Sequence, residues 1–505
     1  MLELQPLGIA AAALLQPLNL FLVAFGTFLG LVFGLLPGIT SLAAMAILLP
    51  FTVGMEPMGG MYLFAGIMGS APFAGSVTAI LFNIPGQPIN AATCFDGHPM
   101  AQKGEASKAL GISATASALG ALFGLLVLIL LLPAVRAIVF AFGPPEFFML
   151  IMFGLVTVAI AAPGNMVKGL ITAGLGVLIS IIGYDPMGGA LRFNLGSQNY
   201  LWDGVGLVAF FVGVFAVAEV IDYFVRGGTI SLTGERVHTG LRGTLAGVKE
   251  VFRNLRVFLQ GSVVGTVVGI LPGVGGTVAN FLAYTLAMQT SKHPERFGKG
   301  SPEGVVAAES ANNAKDGGAL LPTVAFGIPG SAETALLLGA LILHGFNPGP
   351  LFIRDNMEIV WALILGLLVS NLIASTIGLI GADLLTRVTT LNVKYLVPTI
   401  LVVSLIGVYA DRENIWDVLL AIIAGILGYG LARFGFPIIT LVIGFVLGRL
   451  AERAFLQSLQ ISMDPWIFFQ RPIALVLFVL IVLFFIFPLI RRWKSRNQAR
   501  GSARG

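Results

Sequence analysis

The sequence predicts an all-α polytopic integral membrane protein, with about 12 transmembrane segments in two inverted repeats that carry broken helices or re-entrant hairpins. Three observations predict it. The 505 residues are 57% hydrophobic and only 10% charged, where water-facing domains carry roughly 25% charged residues. Apolar runs of about 20 residues, enough to cross a bilayer core, recur at 20–36, 109–133, 148–162, 204–225, 359–381, 436–450 and 472–490. The chain also repeats itself. The short alternating segments of an outer-membrane barrel are not evident.

The repeat is read from two matches in order. Residues 26–38 are GTFLGLVFGLLPG and residues 261–273 are GSVVGTVVGILPG. Gly26, Gly30, Gly34, Pro37 and Gly38 align with Gly261, Gly265, Gly269, Pro272 and Gly273 without a gap. Further on, TAILFNIPG (78–86) aligns with PTVAFGIPG (322–330). The expected organisation is a first transmembrane repeat at 1–225, with an LPG break at 36–38 and an IPG hairpin near 70–100. A basic cytoplasmic linker at 226–256 precedes a second repeat at 257–460, with an LPG break at 271–273 and an IPG hairpin near 305–345. Residues 461–505 form a final transmembrane helix and a basic tail.

Charge sets the orientation. The linker holds Arg226, Arg236, Arg242, Lys249, Arg253 and Arg256 against Glu235 and Glu250, and the tail RRWKSRNQARGSARG holds no acid. By the positive-inside rule both face the cytoplasm. The second repeat then starts inside and ends outside, crossing an odd number of times. With the same odd count the first repeat starts outside, so the two are inverted. Lys292, Arg296 and Lys299 lie in a loop, 291–304, whose side this scheme leaves open. Within the linker, Leu245, Val248, Phe252 and Leu255 recur at helical spacing, as an interfacial amphipathic helix or an ordinary solvated connection would have them.

Several function classes lose support. The single cysteine, Cys94, excludes an intrachain disulfide, and four scattered histidines without HExxH do not suggest a metal centre. Basic residues lie mostly outside the apolar spans, so the net charge of +5 implies no nucleic-acid partner. The first Lys or Arg is Lys103, so no cleavable signal peptide is expected. Tyr184-Asp185 lacks the GxGD partner of an intramembrane aspartyl protease. No enzyme and no cofactor are expected.

The polar residues gather at the breaks. Each LPG break precedes small polar residues: Thr40 and Ser41 after Gly38, Thr277 and Asn280 after Gly273. Freed carbonyls there can coordinate a cation, and the next helix start points N–H groups into the protein. A proline kink satisfied by its neighbours is the plain alternative for one break; recurrence in both repeats favours a function. Around the first IPG stand Ser76, Thr78, Asn83, Pro85, Gly86, Gln87, Asn90 and Thr93; around the second, Glu309, Asn312, Asn313, Lys315, Asp316, Gly330, Ser331, Glu333 and Thr334. Buried polar groups are costly unless paired, so this density implies a wet site. Glu309, Lys315 and Asp316 also fit a charge cluster at a helix end, and Asp96, His98 and Lys103 fit the membrane boundary.

The run GSVTAILFNIPGQPINAATCFDGHPMAQKG (75–104) resembles the signature of the large membrane subunit of tripartite tricarboxylate transporters. So does EGVVAAESANNAKDGGALLPTVAFGIPGSAETALLLGAL (303–341), and the paired LPG segments agree. The resemblance covers residues 15–460; one departure is PFAGS at 72–76, where relatives are often richer in glycine and tyrosine. It implies a bacterial inner-membrane uptake system, with a small membrane subunit of about four spans and a periplasmic solute-binding protein. The solute is a small carboxylate such as citrate, driven by a Na⁺ or H⁺ gradient; the chain has no GxxxxGK[ST] phosphate loop.

The combined expectation is an elevator-type, ion-coupled carrier of small organic anions. Ser76, Thr78, Asn83, Pro85, Gly86, Gln87 and Asn90 would form the substrate site with Asn312, Asn313, Gly330, Ser331 and Thr334. Gly38, Thr40, Ser41, Gly273, Thr277 and Asn280 would hold the coupling cation. A stand-alone carrier or exporter shares these residue features and differs in needing no binding protein; a channel would differ in non-saturating flux.

Overall fold

The computed structural model describes residues 4–36, 39–139, 141–161, 166–185, 189–194, 196, 200–226, 240–349, 351–381, 385 and 393–486. The first LPG turn with Gly38, the linker from 227 to 239 with Arg236, and the tail beyond 486 therefore lie outside the described residues. What is described is almost wholly helical, the form that satisfies backbone donors within its own segment when no water is at hand. Residues 1–226 contain α1 (Leu4–Leu14), α2 (Pro17–Leu35), α3 (Ser41–Thr52), α4 (Pro57–Phe82), α5 (Ala91–Met100), α6 (Ala106–Val139), α7 (Pro144–Ala161), α8 (Met166–Ser180), α9 (Leu207–Phe211) and α10 (Ala218–Arg226). In the sequence segment expected to be a linker lies α11 (Leu241–Arg253). Residues 255–462 contain α12 (Leu255–Ile270), α13 (Gly275–Thr290), α14 (Pro302–Phe326), α15 (Ala332–Leu343), α16 (Phe352–Asp355), α17 (Met357–Ile380), α18 (Val393–Arg412), α19 (Ile415–Arg433) and α20 (Ile438–Ser462). After it come α21 (Ile467–Gln470) and α22 (Pro472–Ile486). Two short strands, β1 (Gly183–Tyr184) and β2 (Leu191–Arg192), pair antiparallel.

Among the described residues six helices are long and apolar enough to cross a membrane, and seven shorter apolar helices accompany them. This is a polytopic membrane protein. Its contacts divide it into two compact units, residues 1–137 with 206–430, and 138–205 with 431–505. In the second unit α8 and α20 pack through glycines, Gly176 against Leu441 and Gly444 against Ala173. Arg192 pairs with Glu452 at 2.6 Å, and Arg471 with the buried Glu146 at 3.4 Å.

The first unit carries the breaks. The glycine stripes let helix backbones touch, as small residues do in membranes. Gly26 faces Leu63, Gly30 faces Ile67 and Gly34 faces Ala71, so α2 runs parallel to α4; Gly261, Gly265 and Gly269 face Ala307, Ala311 and Lys315, so α12 runs parallel to α14. The chain then reverses between α2 and α3 and between α12 and α13. Asn19 near the start of α2 lies at Gly59, and Thr52 at the end of α3 lies at Gly60; at the other end Ser41 meets Gln87, and Gly34 meets Gly86. Thus α2 and α3 form an antiparallel hairpin. In the second repeat the Thr290 hydroxyl reaches Gln260 at 3.3 Å, closing the equivalent pair α12–α13. Its turn needs left-handed backbone at Gly273 (φ 72°) and Gly275 (φ 75°), which glycine adopts without a Cβ penalty.

The IPG segments behave differently. Asn90 Nδ2 donates to the Pro72 carbonyl at 2.8 Å, and His98 Nδ1 lies 3.1 Å from the Ile80 carbonyl, each pair 18 residues apart. A constant offset means that α5 runs parallel to α4. The chain doubles back between Phe82 and Pro88 and then resumes its direction. Of the two expected forms, a broken helix is what the first IPG segment makes. The cause is local. Asn83 and Gly327 end their helices in left-handed backbone (φ 57° and 65°). Proline then withholds a donor, and the extended strand runs back until Gly86 N meets the Gly75 carbonyl at 3.2 Å.

The ends complete the arrangement. Gly60, early in α4, abuts His344 after α15, while Gly300, just before α14, abuts Met100 at the end of α5. Linker helix α11 forms as an amphipathic element. Thr244, Gly247 and Val251 pack inward, with Gly247 against the Lys108 carbonyl, whereas Leu245, Phe252 and Leu255 stay exposed.

Candidate functional site

Helices α4 and α14 are rich in Gly, Ala and Ser, and they are buried along almost their whole length. They bring most of the candidate residues together. Pro72 interrupts the hydrogen-bond ladder of α4, and carbonyls near it accept donors from elsewhere. Asn90 Nδ2 donates to the Pro72 carbonyl and to Ser76 Oγ, both at 2.8 Å. From the second repeat Asn312 Nδ2 donates to the same two groups at 3.3 and 3.5 Å. Asn313 Nδ2 donates to the Gly69 carbonyl at 3.2 Å and to Asn371 Oδ1 at 2.6 Å.

The other candidates sit at the breaks themselves. Gly86 packs against the Gly34 carbonyl and Gly330 against the Gly269 carbonyl, each where a Cβ would clash. Thr78 Oγ1 donates to the Gly75 carbonyl at 3.0 Å. Gln87 is buried and accepts from Ser41 Oγ at 3.4 Å. Asn83 is exposed and Pro85 half-buried. Ser331 and Thr334 cap α15 reciprocally: Ser331 Oγ accepts from Thr334 N at 3.3 Å, and Thr334 Oγ1 accepts from Ser331 N at 2.9 Å.

Of the cation candidates, Gly38 lies outside the described residues. The described ones make the following contacts. Thr40 donates its hydroxyl to Glu219 at 2.5 Å and its N–H at 3.2 Å. Ser41 joins Gln87, Gly273 makes the second LPG turn, and Thr277 is half-buried. Asn280 donates to the Ile89 carbonyl at 2.8 Å, which ties α13 to the first IPG break.

A family model described as "Tripartite tricarboxylate transporter TctA family" matches residues 20–443. The chain belongs to this family. It is 36% identical over 462 residues to an uncharacterized 52.8 kDa protein in the TAR-I ttuC′ 3′ region of Agrobacterium vitis, covering 91% of both chains. It is 37% identical over 235 residues to an uncharacterized protein in the TAR-II ttuC′ 3′ region of the same organism, covering 46% of this chain and 97% of that one. TctA is a family of transporters, so the polar groups buried at the breaks of this member belong to a membrane transport protein.

Among the described residues five buried amide atoms have no hydrogen-bond partner: Gln87 Nε2 and the Oδ1 atoms of Asn90, Asn280, Asn312 and Asn313. Orphans of this kind are rare in native proteins and call for water, an ion or a solute. Sequence reasoning missed how the acids are used. Glu309 sits in the middle of α14, not at a helix end, and is fully buried. It accepts from Thr93 (2.5 Å), Ser113 (2.8 Å) and Ser117 (3.0 Å), joining α5 and α6 to α14. Ser113 and Ser117, one turn apart in an apolar helix, were the available signal. Glu219 gave none. Asp96, expected at a solvated boundary, is buried; it accepts from Gly300 N (2.8 Å), Ser301 N (2.7 Å) and Tyr284 OH (2.8 Å).

Proposed function

We propose that this TctA-family chain is the large translocating subunit of a tripartite, cation-gradient-driven uptake system for tricarboxylates or related small organic carboxylates. It would sit in a bacterial inner membrane with a small four-span subunit, receive solute from a periplasmic binding protein, and use Na⁺ or H⁺. The observation that carries this reading is the set of buried amide atoms without partners, Gln87 Nε2 at the first IPG break with the Oδ1 atoms of Asn90, Asn280, Asn312 and Asn313. Gln87, Asn90, Asn280, Asn312 and Asn313 are assigned to solute or coupling ion, and Ser331 with Thr334 to holding the second break in shape.

Inverted repeats account for the abutting ends, since the start of each broken crossing meets the finish of the other. The basic groups agree with this topology. Lys103 Nζ donates to the Lys299 carbonyl at 2.5 Å, and Lys108 approaches Glu250 of α11 at 3.6 Å. These contacts support one shared side for the 291–304 loop and the linker, which by the positive-inside rule would be cytoplasmic. The exposed Leu245, Phe252 and Leu255 then suit the lipid interface. Movement of the broken helices against the rest, as in an elevator, would give alternating access.

The test is uptake of labelled citrate by proteoliposomes containing the chain, its small subunit and its binding protein, under separate Na⁺ and H⁺ gradients. Saturable accumulation that needs the binding protein and one gradient is expected. Flux that does not saturate and ignores both gradients would overturn the reading in favour of a channel.

A further inference from the structure

Lys315 is 2% exposed in the middle of α14, a setting where a membrane protein must pair a charge. Its Nζ donates to Asp316 Oδ1 at 2.7 Å. A second carboxylate, Glu333 Oε2, stands 3.7 Å away, outside hydrogen-bond distance. The two partners differ in kind. Asp316 is the next residue on the same helix and equally buried, so it travels with the lysine. Glu333 lies in the first turn of α15, beyond the IPG break, and is the most exposed of the three at 17%. An ammonium group carries three donors, and among the described residues Asp316 takes the one hydrogen bond from Nζ.

The lysine stem packs closely against α13 at Gly276. A Cβ on Gly276 would stand 2.9 Å from both Cδ and Cε of Lys315 and would also strike Ile89 of the first break. Asn280, one turn further along α13, holds the Ile89 carbonyl and has a free Oδ1; Gln87, two residues before Ile89, has a free Nε2. The lysine thus lies where the two repeats' breaks adjoin. With all three ionised, Lys315, Asp316 and Glu333 would carry one net negative charge.

We propose that Lys315 receives a substrate carboxylate and that Glu333 is the internal carboxylate it releases on doing so. This rests on the carboxylate-uptake reading above and assigns residues to it. The exchange has a charge consequence. An arriving carboxylate takes over the lysine, and Glu333 keeps only its Ser331 and backbone donors, so the cluster gains one negative charge that a monovalent cation would balance. One cation, a proton or Na⁺, accompanies each exchange at this point, so coupling follows from sharing a single ammonium group between two carboxylates.

The experiment is citrate binding to the purified full-length chain by calorimetry, at low and high Na⁺ and at two pH values. The variants are Lys315→Met, Lys315→Arg, Glu333→Gln and the charge-balanced double Lys315→Met/Asp316→Asn, which guards against misfolding of the single change. Loss of a charge-assisted bond predicts binding about tenfold or more weaker in both Met variants, with Lys315→Arg in between. Glu333→Gln should bind at least as tightly as wild type and lose most of its dependence on Na⁺ and pH, with the arm that flattens naming the cation. Wild-type affinity in the Met variants would overturn the role of Lys315. Weakening in Glu333→Gln equal to that in Lys315→Met would overturn the exchange. If wild type binds no citrate, the carboxylate reading falls and this inference with it, whereas wild-type binding with unaffected variants removes the inference alone.

Discussion

The two IPG breaks share a backbone and differ in nearly everything attached to it. Each helix ends on a left-handed residue, Asn83 or Gly327, and each chain runs back so that its glycine packs on the carbonyl of the last stripe glycine, Gly34 or Gly269. The side chains diverge from there. The first break is neutral, partly exposed at Asn83 and Pro88, and supplies the amides of Gln87 and Asn90. The second is buried, is locked by the Ser331–Thr334 capping box, and carries Lys315, Asp316 and Glu333. The shared backbone is the part that packing enforces; in the proposed site the divergent side chains would form an amide wall and a charged wall.

The largest test of that comparison is steric. Valine at Gly86 or at Gly330 meets backbone on two sides, so each should cost about 3 kcal/mol, the upper end for overpacking. Both should lower Tm and abolish uptake; tolerance at one break alone would show that the two are not equivalent. Next is Glu309, whose carboxylate ties α5 and α6 of the first repeat to α14 of the second. Glu309→Gln should cost about 2 kcal/mol, because hydrogen bonds to a charged acceptor weaken, measured as a fall in denaturation midpoint. Unchanged stability would mean that the carboxylate does not join the repeats.

A third pair separates solute contact from capping. Ser331→Ala should cost about 1 kcal/mol of stability, as loss of a helix N-cap does, and leave citrate affinity nearly unchanged. Gln87→Ala should do the reverse, with weaker uptake at constant Tm. If Ser331→Ala abolishes uptake at wild-type stability, the division of labour between the breaks is wrong. The smallest effect is at the left-handed residues. Asn83→Gly and Gly327→Asn should each shift stability by about 0.5 kcal/mol or less, since Asn is the residue after Gly that best tolerates this backbone.

Much of this was legible in the sequence, and the limits have physical causes. Glycines and prolines marked all four breaks, because φ freedom and a missing N–H act at the residue itself. They did not give direction. A proline ends a helix, but whether the chain returns antiparallel, as between α2 and α3, or restarts parallel, as at the first IPG, depends on what Asn90 and His98 find on α4. Exposed Leu245 and Phe252 on α11 followed from helical periodicity alone. The partners of Glu309 and Thr40 did not, since Thr93 stands 216 residues from Glu309 and Thr40 stands 179 from Glu219. A carboxylate in an apolar stretch announces that it needs partners without saying which.

The central claim is that the paired breaks form one carboxylate site in an ion-coupled carrier. Labelled-citrate uptake by the reconstituted tripartite system, comparing wild type with the double variant Gln87→Ala/Lys315→Met, tests it most directly. The account predicts gradient-dependent, saturable accumulation in wild type and its loss in the double variant at equal protein level. Equal uptake by both proteins would contradict it.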